Sequence, residues 1–389
     1  MAGWRLTVAF TLALSACAPG MRQQPAAPPD LYRTAEVAGY ADIRFYGDEK
    51  PPFLPETTAE LAQAARDNPA LTRRIDLLAL SGGGAGGAYG AGFLQGWTER
   101  GDRPEFTWVT GISTGALIAP FAFLGPQYDG AVRRLYTETS TPDLLRLNPV
   151  AVLFGADSVA QTDPLRRRIA EEMTPEIVAR IAAEHARGRR LLIGTTNLDA
   201  ERPVIWDIGR IASSDQPGKV DLIRKILLAS ASIPGAFPPV NFDVVIDGKR
   251  YQEMHVDGGV TQGIFAYPVP VDVPGMQRAL RIRPEKNMWV IRNSKLAAEY
   301  AQVERGLPSI ASRSVSTLLK YQGRGDIAAL ERLAQRDGFR FHLTGIPATF
   351  TIPAPTFFEQ DYMVALYEQG LRDARAAQPW QDHFVADPD

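Results

Sequence analysis

Cysteine and histidine are scarce in this chain, and neither sign of charge is in excess. There are one cysteine and four histidines in 389 residues. A single cysteine excludes an intramolecular disulfide and a thiolate-rich metal site, and the histidines lack the HExxH spacing of a zinc site. Because 42 Lys and Arg stand against 44 Asp and Glu, the chain also lacks the basic excess that binding to a phosphate backbone needs. We therefore expect no metal centre and no nucleic-acid partner.

The longest apolar run near the start is too short to cross a bilayer, which takes about 20 residues. Arg5 precedes an apolar stretch at Leu6–Leu14, and the small residues Ser15 and Ala16 lead to Cys17. This order of charge, apolar stretch and small residues is typical of a secretory signal peptide, here residues 1–16. An ordinary secreted protein would show the same layout.

The sequence Leu14-Ser15-Ala16-Cys17 also resembles the lipobox of bacterial lipoproteins. The resemblance implies that Cys17 becomes the acylated first residue of the mature protein and that a lipid anchor tethers it to a membrane. Position 18 is Ala rather than the Asp associated with inner-membrane retention, so the expected location is the cell envelope, at the outer membrane. Residues 17–55 are rich in proline and alanine, which predicts a semi-extended tether whose later part can pack on the body.

Beyond this segment the composition is that of a globular domain, with 45% hydrophobic and 22% charged residues. The apolar run Ile75–Leu80 predicts a buried strand, Gly87–Arg100 a helix, Phe106–Gly111 a second strand and Thr114–Leu124 a second helix. This alternation favours an α/β layered fold with a parallel sheet, and no linker interrupts residues 70–389. Further strands are predicted at Arg190–Thr195, Val204–Ile208, Tyr251–Val256 and Met288–Ile291, and further helices at Glu56–Asn68, Pro164–Ala186, Val220–Ser230, Ser309–Glu331 and Gln360–Ala376.

A glycine cluster, Ser81–Gly87, follows the first buried strand and opens a helix. Its N–H groups can face an anion, and two kinds of site fit. Gly82, Gly84 and Gly87 satisfy GxGxxG, but the acidic residue that a dinucleotide site needs at the end of the next strand is missing. The other interpretation is an oxyanion hole, whose donors stabilise the charge that develops on an attacked carbonyl group.

Gly111-Ile112-Ser113-Thr114-Gly115 decides between these interpretations. It is a GxSxG sequence between an apolar strand and a helix, the context of a nucleophile elbow, so Ser113 is the candidate nucleophile. Neither later histidine, His342 or His383, lies in a recognisable turn motif. Asp257 does: it ends a predicted strand at an Asp-Gly-Gly turn, where a carboxylate in a dry site can accept the serine proton.

A GGG loop, a GxSxG and a later Asp-Gly-Gly, in this order, resemble the patatin-like phospholipase family. The segment Ala229–Pro239 (ASASIPGAFPP) resembles the family's helix-to-loop segment between the nucleophile and the aspartate. The resemblance spans roughly residues 75–270. It implies a three-layer α/β/α sandwich with a mostly parallel central sheet, and a Ser113–Asp257 dyad.

By the same resemblance, Gly82, Gly83 and Gly84 form the oxyanion loop, with the Thr114 N–H as a further donor. The implied activity is hydrolysis of lipid acyl esters without a metal or organic cofactor. One residue departs from the family pattern, because many members have Arg or Lys where this chain has Gly86. The alternative function is therefore a weak or inactive relative that binds lipid or a partner protein at the envelope.

The remaining candidates have ordinary structural explanations. His255 is expected to be a satisfied core histidine, and Arg166–Arg168 a solvated helix face. Asp199, Asp207 and Asp247 are possible rival bases, but none stands in an Asp-Gly-Gly turn. Core packing is the default for five aromatic residues that could also line an acyl pocket: Phe121, Phe123, Phe237, Phe357 and Phe358.

Overall fold

The computed structural model describes residues 22–139, 146–147, 160–353 and 358–385, so Cys17 and the predicted signal peptide lie outside the described residues. The strands are β1 (Glu36–Val37), β2 (Arg44–Tyr46), β3 (Arg74–Leu80), β4 (Trp108–Ile112), β5 (Arg146–Leu147), β6 (Ala160–Gln161), β7 (Arg190–Asn197), β8 (Arg202–Asp207), β9 (Val240–Ile246), β10 (Lys249–Asp257), β11 (Glu285–Arg292) and β12 (Arg340–Gly345). The helices are α1 (Leu54–Asp67), α2 (Ala70–Arg73), α3 (Gly87–Arg100), α4 (Thr114–Leu124), α5 (Asp129–Thr137), α6 (Asp163–Glu172), α7 (Pro175–Ala186), α8 (Ile208–Ser213), α9 (Lys219–Ser230), α10 (Val273–Leu280), α11 (Leu307–Asp337) and α12 (Gln360–Ala374).

One large sheet organises the molecule, with the strand order β1-β9-β10-β7-β4-β3-β11-β12. The five neighbours β7, β4, β3, β11 and β12 are parallel. Strands β10, β9 and β1 extend this parallel centre in antiparallel fashion, and β8 and β2 branch from β7. The carboxyl ends of the parallel strands meet at one edge, where α/β proteins place their ligands.

The sheet is covered on both faces, as strand β3 illustrates. Its side chains alternate, so that Leu78 and Leu80 join one buried cluster while Leu77 and Ala79 join another. The first cluster includes residues of α3, α4 and α12, and the second includes residues of α11. This arrangement confirms the predicted α/β/α layers around a parallel central sheet.

The described part of the predicted tether belongs to the folded body. Strand β1 pairs with β9 and β2 pairs with β8, and the apolar side chains Val37, Ile43 and Phe45 are buried. Arg44 forms a buried ion pair with Glu253. Apolar side chains thus give the later part of a proline-rich segment enough burial to pack on the body, as the sequence allows, while its strand pairing was not predicted.

The structure differs from the predicted elements in further places, and the break in one predicted helix has a local cause. The predicted helix Pro164–Ala186 is two helices, α6 and α7, because Thr174 caps the Ile177 N–H and Pro175 begins a new helix. Strands β9 and β12 were not predicted. Among the described helices none is both long and apolar enough to cross a bilayer, and the same residues contain no metal-binding cluster of three or more His, Cys, Asp or Glu.

Candidate active site

Ser113 lies in a sharp turn between β4 and α4, in the strand-to-helix context that GxSxG predicts. Its backbone has φ 54° and ψ −123°, a region that residues with a side chain rarely adopt. Close packing requires both flanking glycines. A Cβ atom on Gly111 would lie 2.5 Å from the Gly115 carbonyl oxygen, and one on Gly115 would lie 2.3 Å from the Leu80 carbonyl oxygen. The surrounding contacts therefore fix a strained serine.

Asp257 ends β10 and is 4% exposed. Its Oδ1 atom accepts a 2.7 Å hydrogen bond from the Gly259 N–H, whereas the buried Oδ2 atom completes no hydrogen bond with the described residues. Burial raises the pKa of this carboxyl group to about 6, and the Ser113 hydroxyl and the Gly259 N–H partly offset the rise. A carboxylate with this pKa is mainly charged at neutral pH and is more basic than an exposed aspartate.

Strand β7 brings the two residues to the same edge of the sheet. Gly194 pairs with Ile112, the residue before Ser113, and Thr195 pairs with Asp257. Neighbouring strands lie about 5 Å apart, and only β7 separates β4 from β10. The side chains of Ser113 and Asp257 can therefore reach each other across it. The Ser113 hydroxyl is accordingly close enough to favour the charged form of Asp257.

The end of α9 and the residues just after it hold both residues in place. The Ser113 N–H donates a 3.0 Å hydrogen bond to Oγ of Ser230, which donates a 2.7 Å hydrogen bond to the Gly194 carbonyl oxygen. Two residues later, the Ser232 carbonyl oxygen accepts a 2.9 Å hydrogen bond from the Asp257 N–H. The sequence indicates this segment only through its family resemblance, because its partners are more than 20 residues away in the chain.

The glycine loop lies directly beside the elbow. A Cβ atom on Gly82 would lie 3.1 Å from Cβ of Ser113. The Gly82 N–H donates a 3.0 Å hydrogen bond to the Gly263 carbonyl oxygen, so this group is already paired. The N–H groups of Gly83 and Gly84 make no hydrogen bond within the described ranges, and Gly84 lines the same pocket as Ser113.

Thr114 begins α4 and faces the glycine loop. Its hydroxyl pairs with the Tyr136 hydroxyl, which also donates a 3.2 Å hydrogen bond to the Thr114 carbonyl oxygen. Its N–H belongs to the first turn of the helix, where N–H groups have no intrahelical acceptor. A Cβ atom on Gly87 would lie 2.1 Å from Oγ1 of Thr114, so α3 and α4 approach each other closely here.

Asn293 supports the glycine loop from the end of β11, a contact that sequence analysis missed. Its side-chain amide donates a 2.7 Å hydrogen bond to the Ser81 carbonyl oxygen, and its N–H donates a 2.8 Å hydrogen bond to Oγ of Ser81. A Cβ atom on either Gly83 or Gly86 would lie 2.0 Å from the Asn293 carbonyl oxygen. Position 86 therefore has no room for the basic side chain that many family members carry there.

A pair of opposite charges lies behind the loop, the buried Arg292 and the half-buried Asp326. Oδ2 of Asp326 accepts a 2.7 Å hydrogen bond from the Gly263 N–H, whose carbonyl group binds the Gly82 N–H. Burial raises the pKa of Asp326 to about 6, and burial lowers that of Arg292 to about 10, with the attraction between the two charges opposing both shifts. The pair thus connects α11 to the glycine loop.

An apolar pocket opens beside Ser113, and a second cavity shares Leu117, Leu135 and Leu165 with it. Of the five aromatic candidates, Phe237 and Phe358 line the first pocket and Phe121 the second, whereas Phe123 packs under Arg189 and Phe357 lies outside the described residues. The first pocket is lined by Gly84, Ser113, Thr114, Leu117, Leu135, Tyr136, Leu165, Ala231, Ile233, Phe237 and Phe358.

The other candidate side chains have structural partners. His255 is fully buried, and its ring nitrogens lie 2.9 Å from Oγ1 of Thr195 and 3.1 Å from Oε2 of Glu253. Asp199 pairs with Arg22, and Asp207 caps α8. Asp247 lies in the turn between β9 and β10. None of the three is placed beside Ser113 as Asp257 is.

The fold and these residues together define an α/β protein with a serine and a carboxylate at the carboxyl edge of a parallel sheet. Residues 78–273 match the family model described as Patatin-like phospholipase. The chain therefore belongs to the patatin-like phospholipase family, a family of lipid acyl hydrolases.

Among solved structures, the chain is similar to VipD from Legionella pneumophila, with 14% identity, a TM-score of 0.31 and coverage of 78% of this chain and 67% of VipD. It is also similar to human GIVD cytosolic phospholipase A2, with 12% identity, a TM-score of 0.32 and coverage of 82% and 53%. For ExoU from Pseudomonas aeruginosa, solved with SpcU, the identity is 15%, the TM-score 0.25 and the coverage 81% and 55%. The chain thus spans about half the length of the latter two proteins. No curated protein matches it.

Proposed function

We propose that this protein is a serine hydrolase of lipid acyl esters that uses Ser113 and Asp257 as a catalytic dyad. The observation that carries the proposal is the buried carboxyl group of Asp257, which interacts with the hydroxyl of the strained Ser113 and whose Oδ2 atom is taken by no other described group. An unpaired carboxylate oxygen in a dry site is a free proton acceptor. The apolar pocket beside Ser113 suits an acyl chain.

In the proposed reaction, Asp257 accepts the proton of the Ser113 hydroxyl as Oγ attacks the ester carbonyl carbon. The bond from that carbon to the alcohol oxygen then breaks, and Asp257 returns the proton to the departing alcohol. Water, deprotonated by the same carboxylate, attacks the acyl carbon of the acyl-enzyme. The bond from that carbon to Oγ of Ser113 breaks, Asp257 returns the proton to Oγ, and the fatty acid and the free serine are released. No cofactor is needed for either half of the reaction.

The negative charge on the carbonyl oxygen needs donors that are in place before the reaction. The N–H groups of Gly83, Gly84 and Thr114 are the candidates, because they hold no hydrogen bond in the described chain. The Gly82 N–H has a structural role instead, because its hydrogen bond to the Gly263 carbonyl oxygen holds the glycine loop in place.

Hydrolysis of a panel of phospholipids and short-chain esters tests this proposal. The wild-type chain is expected to cleave at least one of these esters, and Ser113→Ala and Asp257→Asn to lose that activity while circular dichroism shows an unchanged fold. A folded wild-type chain that cleaves none of them would contradict the proposal.

The second candidate is a weak or inactive relative that binds lipid or a partner protein. The packing of Gly86 against Asn293 favours it, since it excludes a basic side chain beside the anion site. The same panel separates the two candidates, because a binding protein would leave every ester intact and release no fatty acid.

We further propose that Cys17 carries a lipid anchor that tethers the protein to the bacterial envelope, at the outer membrane. The lipobox-like sequence before Cys17 supports this localisation. Expression with radiolabelled palmitate, followed by membrane fractionation, is expected to give a labelled protein in the outer-membrane fraction. Cys17→Ser is expected to abolish the label, and an unlabelled wild-type protein would contradict the anchor.

A further inference from the structure

The first half of α11 exposes an unusual amount of apolar surface. This segment, Leu307–Tyr321, is called the apolar arm below. Its large apolar side chains have the following exposed fractions: Leu307 83%, Leu318 69%, Tyr321 59%, Val315 55%, Ile310 51% and Leu319 44%. Single exposed apolar residues are common on protein surfaces, but six on four consecutive helical turns indicate a surface that binds something.

The two charged side chains of the arm are turned toward the body of the protein. Leu307, Ile310, Leu318 and Tyr321 recur at helical spacing and share the outward face. The arm's two charged side chains lie on the other face. The Lys320 ammonium group donates hydrogen bonds of 2.7 and 2.8 Å to the Ala297 carbonyl oxygen and the Glu299 carboxylate, and the Arg313 guanidinium donates to the Glu299 carbonyl oxygen.

This orientation is the reverse of an ordinary surface helix, which buries its apolar stripe and exposes its charges. The inward contacts also leave the outward face without a charged group of the arm. A partner that covers this face therefore gains apolar burial and meets little charge.

The direction of α11 places the arm toward the carboxyl edge of the sheet. Asp337 is the last residue of α11, and its carbonyl oxygen accepts a hydrogen bond from the ammonium group of Lys286, which lies at the start of β11. Gly323 lies against Arg292 at the other end of β11, since a Cβ atom there would be 2.2 Å from Nη2 of Arg292. The helix therefore runs antiparallel to β11. Its residues before Gly323, a stretch about 24 Å long at 1.5 Å per residue, lie toward the carboxyl edge of the parallel strands.

That edge is the one that holds the candidate active site. Ser113 follows the carboxyl end of β4, which is parallel to β3 and β11. The base of the arm is also joined to the glycine loop, because Asp326 binds the Gly263 N–H and the Gly263 carbonyl oxygen binds the Gly82 N–H. An object that covers the arm thus lies on the side of the molecule where a substrate would enter.

The size of the arm favours a lipid surface over a second copy of the chain. Fifteen helical residues are about 22 Å long, and the outward half of a helix about 10 Å wide offers on the order of 350 Å². A stable protein interface buries about 800 Å² on each partner. The arm is too small for such an interface, whereas an amphipathic helix of this length is sufficient to enter the headgroup layer of a bilayer.

We propose that the apolar arm inserts its outward face into the surface layer of a lipid bilayer and so holds the opening beside Ser113 against the membrane. This inference rests on the proposed function for its consequence, delivery of a lipid substrate, but the binding itself does not require catalysis. Because apolar area drives it, binding extends to uncharged lipid and is insensitive to salt.

Vesicle flotation tests the proposal on the chain from residue 17 onward carrying Cys17→Ser, which has neither the apolar Leu6–Leu14 stretch of the predicted signal peptide nor the expected anchor. This protein is expected to float with phosphatidylcholine vesicles at both low and high salt. Adding Leu307→Ser, Leu318→Ser and Tyr321→Ser is expected to weaken partitioning about tenfold or more. The matched control changes three exposed apolar residues elsewhere to serine, Val269, Ile352 and Val385, and is expected to float as the parent does.

A fluorescent label gives a second readout that needs no multiple substitution. In the Cys17→Ser chain, Leu318→Cys introduces a unique thiol for an environment-sensitive dye. Its emission is expected to shift to the blue when phosphatidylcholine vesicles are added. A label at Val269→Cys is the control, because Val269 is exposed and its carbonyl oxygen binds Arg336 at the opposite end of α11, so its emission is expected to stay unchanged.

Several outcomes would overturn the proposal: no flotation of the parent, flotation of the triple variant equal to the parent, or equal dye shifts at positions 318 and 269. A parent dimer in analytical ultracentrifugation that the triple variant dissociates would assign the arm to a second copy. Failure of the proposed function is distinguishable, since a parent that floats but cleaves no ester leaves the membrane contact intact. If both hold, the triple variant cleaves a soluble short-chain ester normally and loses hydrolysis of vesicle phospholipid.

Discussion

Ser113 and Asp257 depend on one short segment for their positions. The Ser230 hydroxyl accepts the Ser113 N–H and donates to Gly194, while the backbone of Ser232 binds the Asp257 N–H. All three hydrogen bonds are buried, so none can be replaced by water without rearrangement. These contacts hold the backbone of Ser113 in its strained conformation, which would relax without them.

Ser230→Ala is therefore expected to lower kcat on a soluble ester by about 10-fold to 100-fold, because the elbow loses its clamp. Ser232→Ala is the matched control. Its side chain is equally buried but binds only the Leu228 carbonyl oxygen in the preceding helix. It is expected to cost similar stability in urea unfolding and to keep its kcat. Equal losses of kcat in the two variants would show that Ser230 has no special role.

The pH dependence of the reaction follows from the state of Asp257. A general base acts in its charged form, and burial raises the pKa of this carboxyl group to about 6. Activity is therefore absent well below pH 6, rises about tenfold per pH unit up to this value and levels off above it. The measurement is kcat/KM for an uncharged ester from pH 4 to 8, a range chosen to span that pKa by about two units on each side.

A second carboxyl group with a raised pKa requires a control for that profile. The pKa of Asp326 is also raised to about 6, and this residue is linked to the glycine loop. The profile is expected to keep its midpoint in Asp326→Asn, because Asp326 is not the proposed base. A pH profile that loses its midpoint in Asp326→Asn, or a flat wild-type profile, would contradict the proposal that Asp257 is the general base.

At the scale of elements, residues close in sequence were predictable and distant contacts were not. GxSxG and Asp-Gly-Gly each contain their own turn chemistry, so the strand-to-helix elbow and the strand-to-turn position of Asp257 could be predicted from local patterns. The supports of the glycine loop could not. Ser81 and its partner Asn293 are 212 residues apart, and Ser113 and Ser230 are 117 apart, and no local pattern reports such pairs.

The glycine at position 86 is a consequence of the packing between the glycine loop and β11. Restoring a basic residue with Gly86→Arg is expected to destabilise the protein by about 2 kcal/mol or more, because its Cβ atom would lie 2.0 Å from the Asn293 carbonyl oxygen. Gly325→Arg is the control, since no atom lies within 4 Å of a Cβ at that exposed helical position. Urea unfolding midpoints compare the two, and an unchanged Gly86→Arg midpoint would contradict this account.

At the scale of the whole molecule, the N-terminal segment is part of the fold that supports the site. Arg44 on β2 forms a buried ion pair with Glu253, two residues before His255 on the strand that ends in Asp257. Burial opposes the ionisation of Glu253, but Arg44 and His255 outweigh it and lower its pKa to about 2. The proline and alanine content of this segment predicts a tether. Composition could not predict the ion pair and the strand pairing, since it does not report which side chains find a partner.

Arg44→Met is expected to destabilise the protein by about 3 kcal/mol, since it leaves the Glu253 carboxylate buried without its main partner. Arg33→Met removes a cation of the same segment whose ion pair with Glu49 is exposed, and is expected to change stability by less than about 0.5 kcal/mol. Urea unfolding of the two variants measures the difference. Equal small effects would mean that the segment contributes little to the folded body.

The central claim is that Ser113 is a nucleophile activated by Asp257, and a covalent probe tests it most directly. The folded chain is incubated with a fluorophosphonate, and the modified residue is identified by mass spectrometry. We predict a single adduct on Ser113, none in Ser113→Ala and a much slower reaction in Asp257→Asn. A folded wild-type chain that takes no adduct, or an adduct that persists in Ser113→Ala, would contradict the claim.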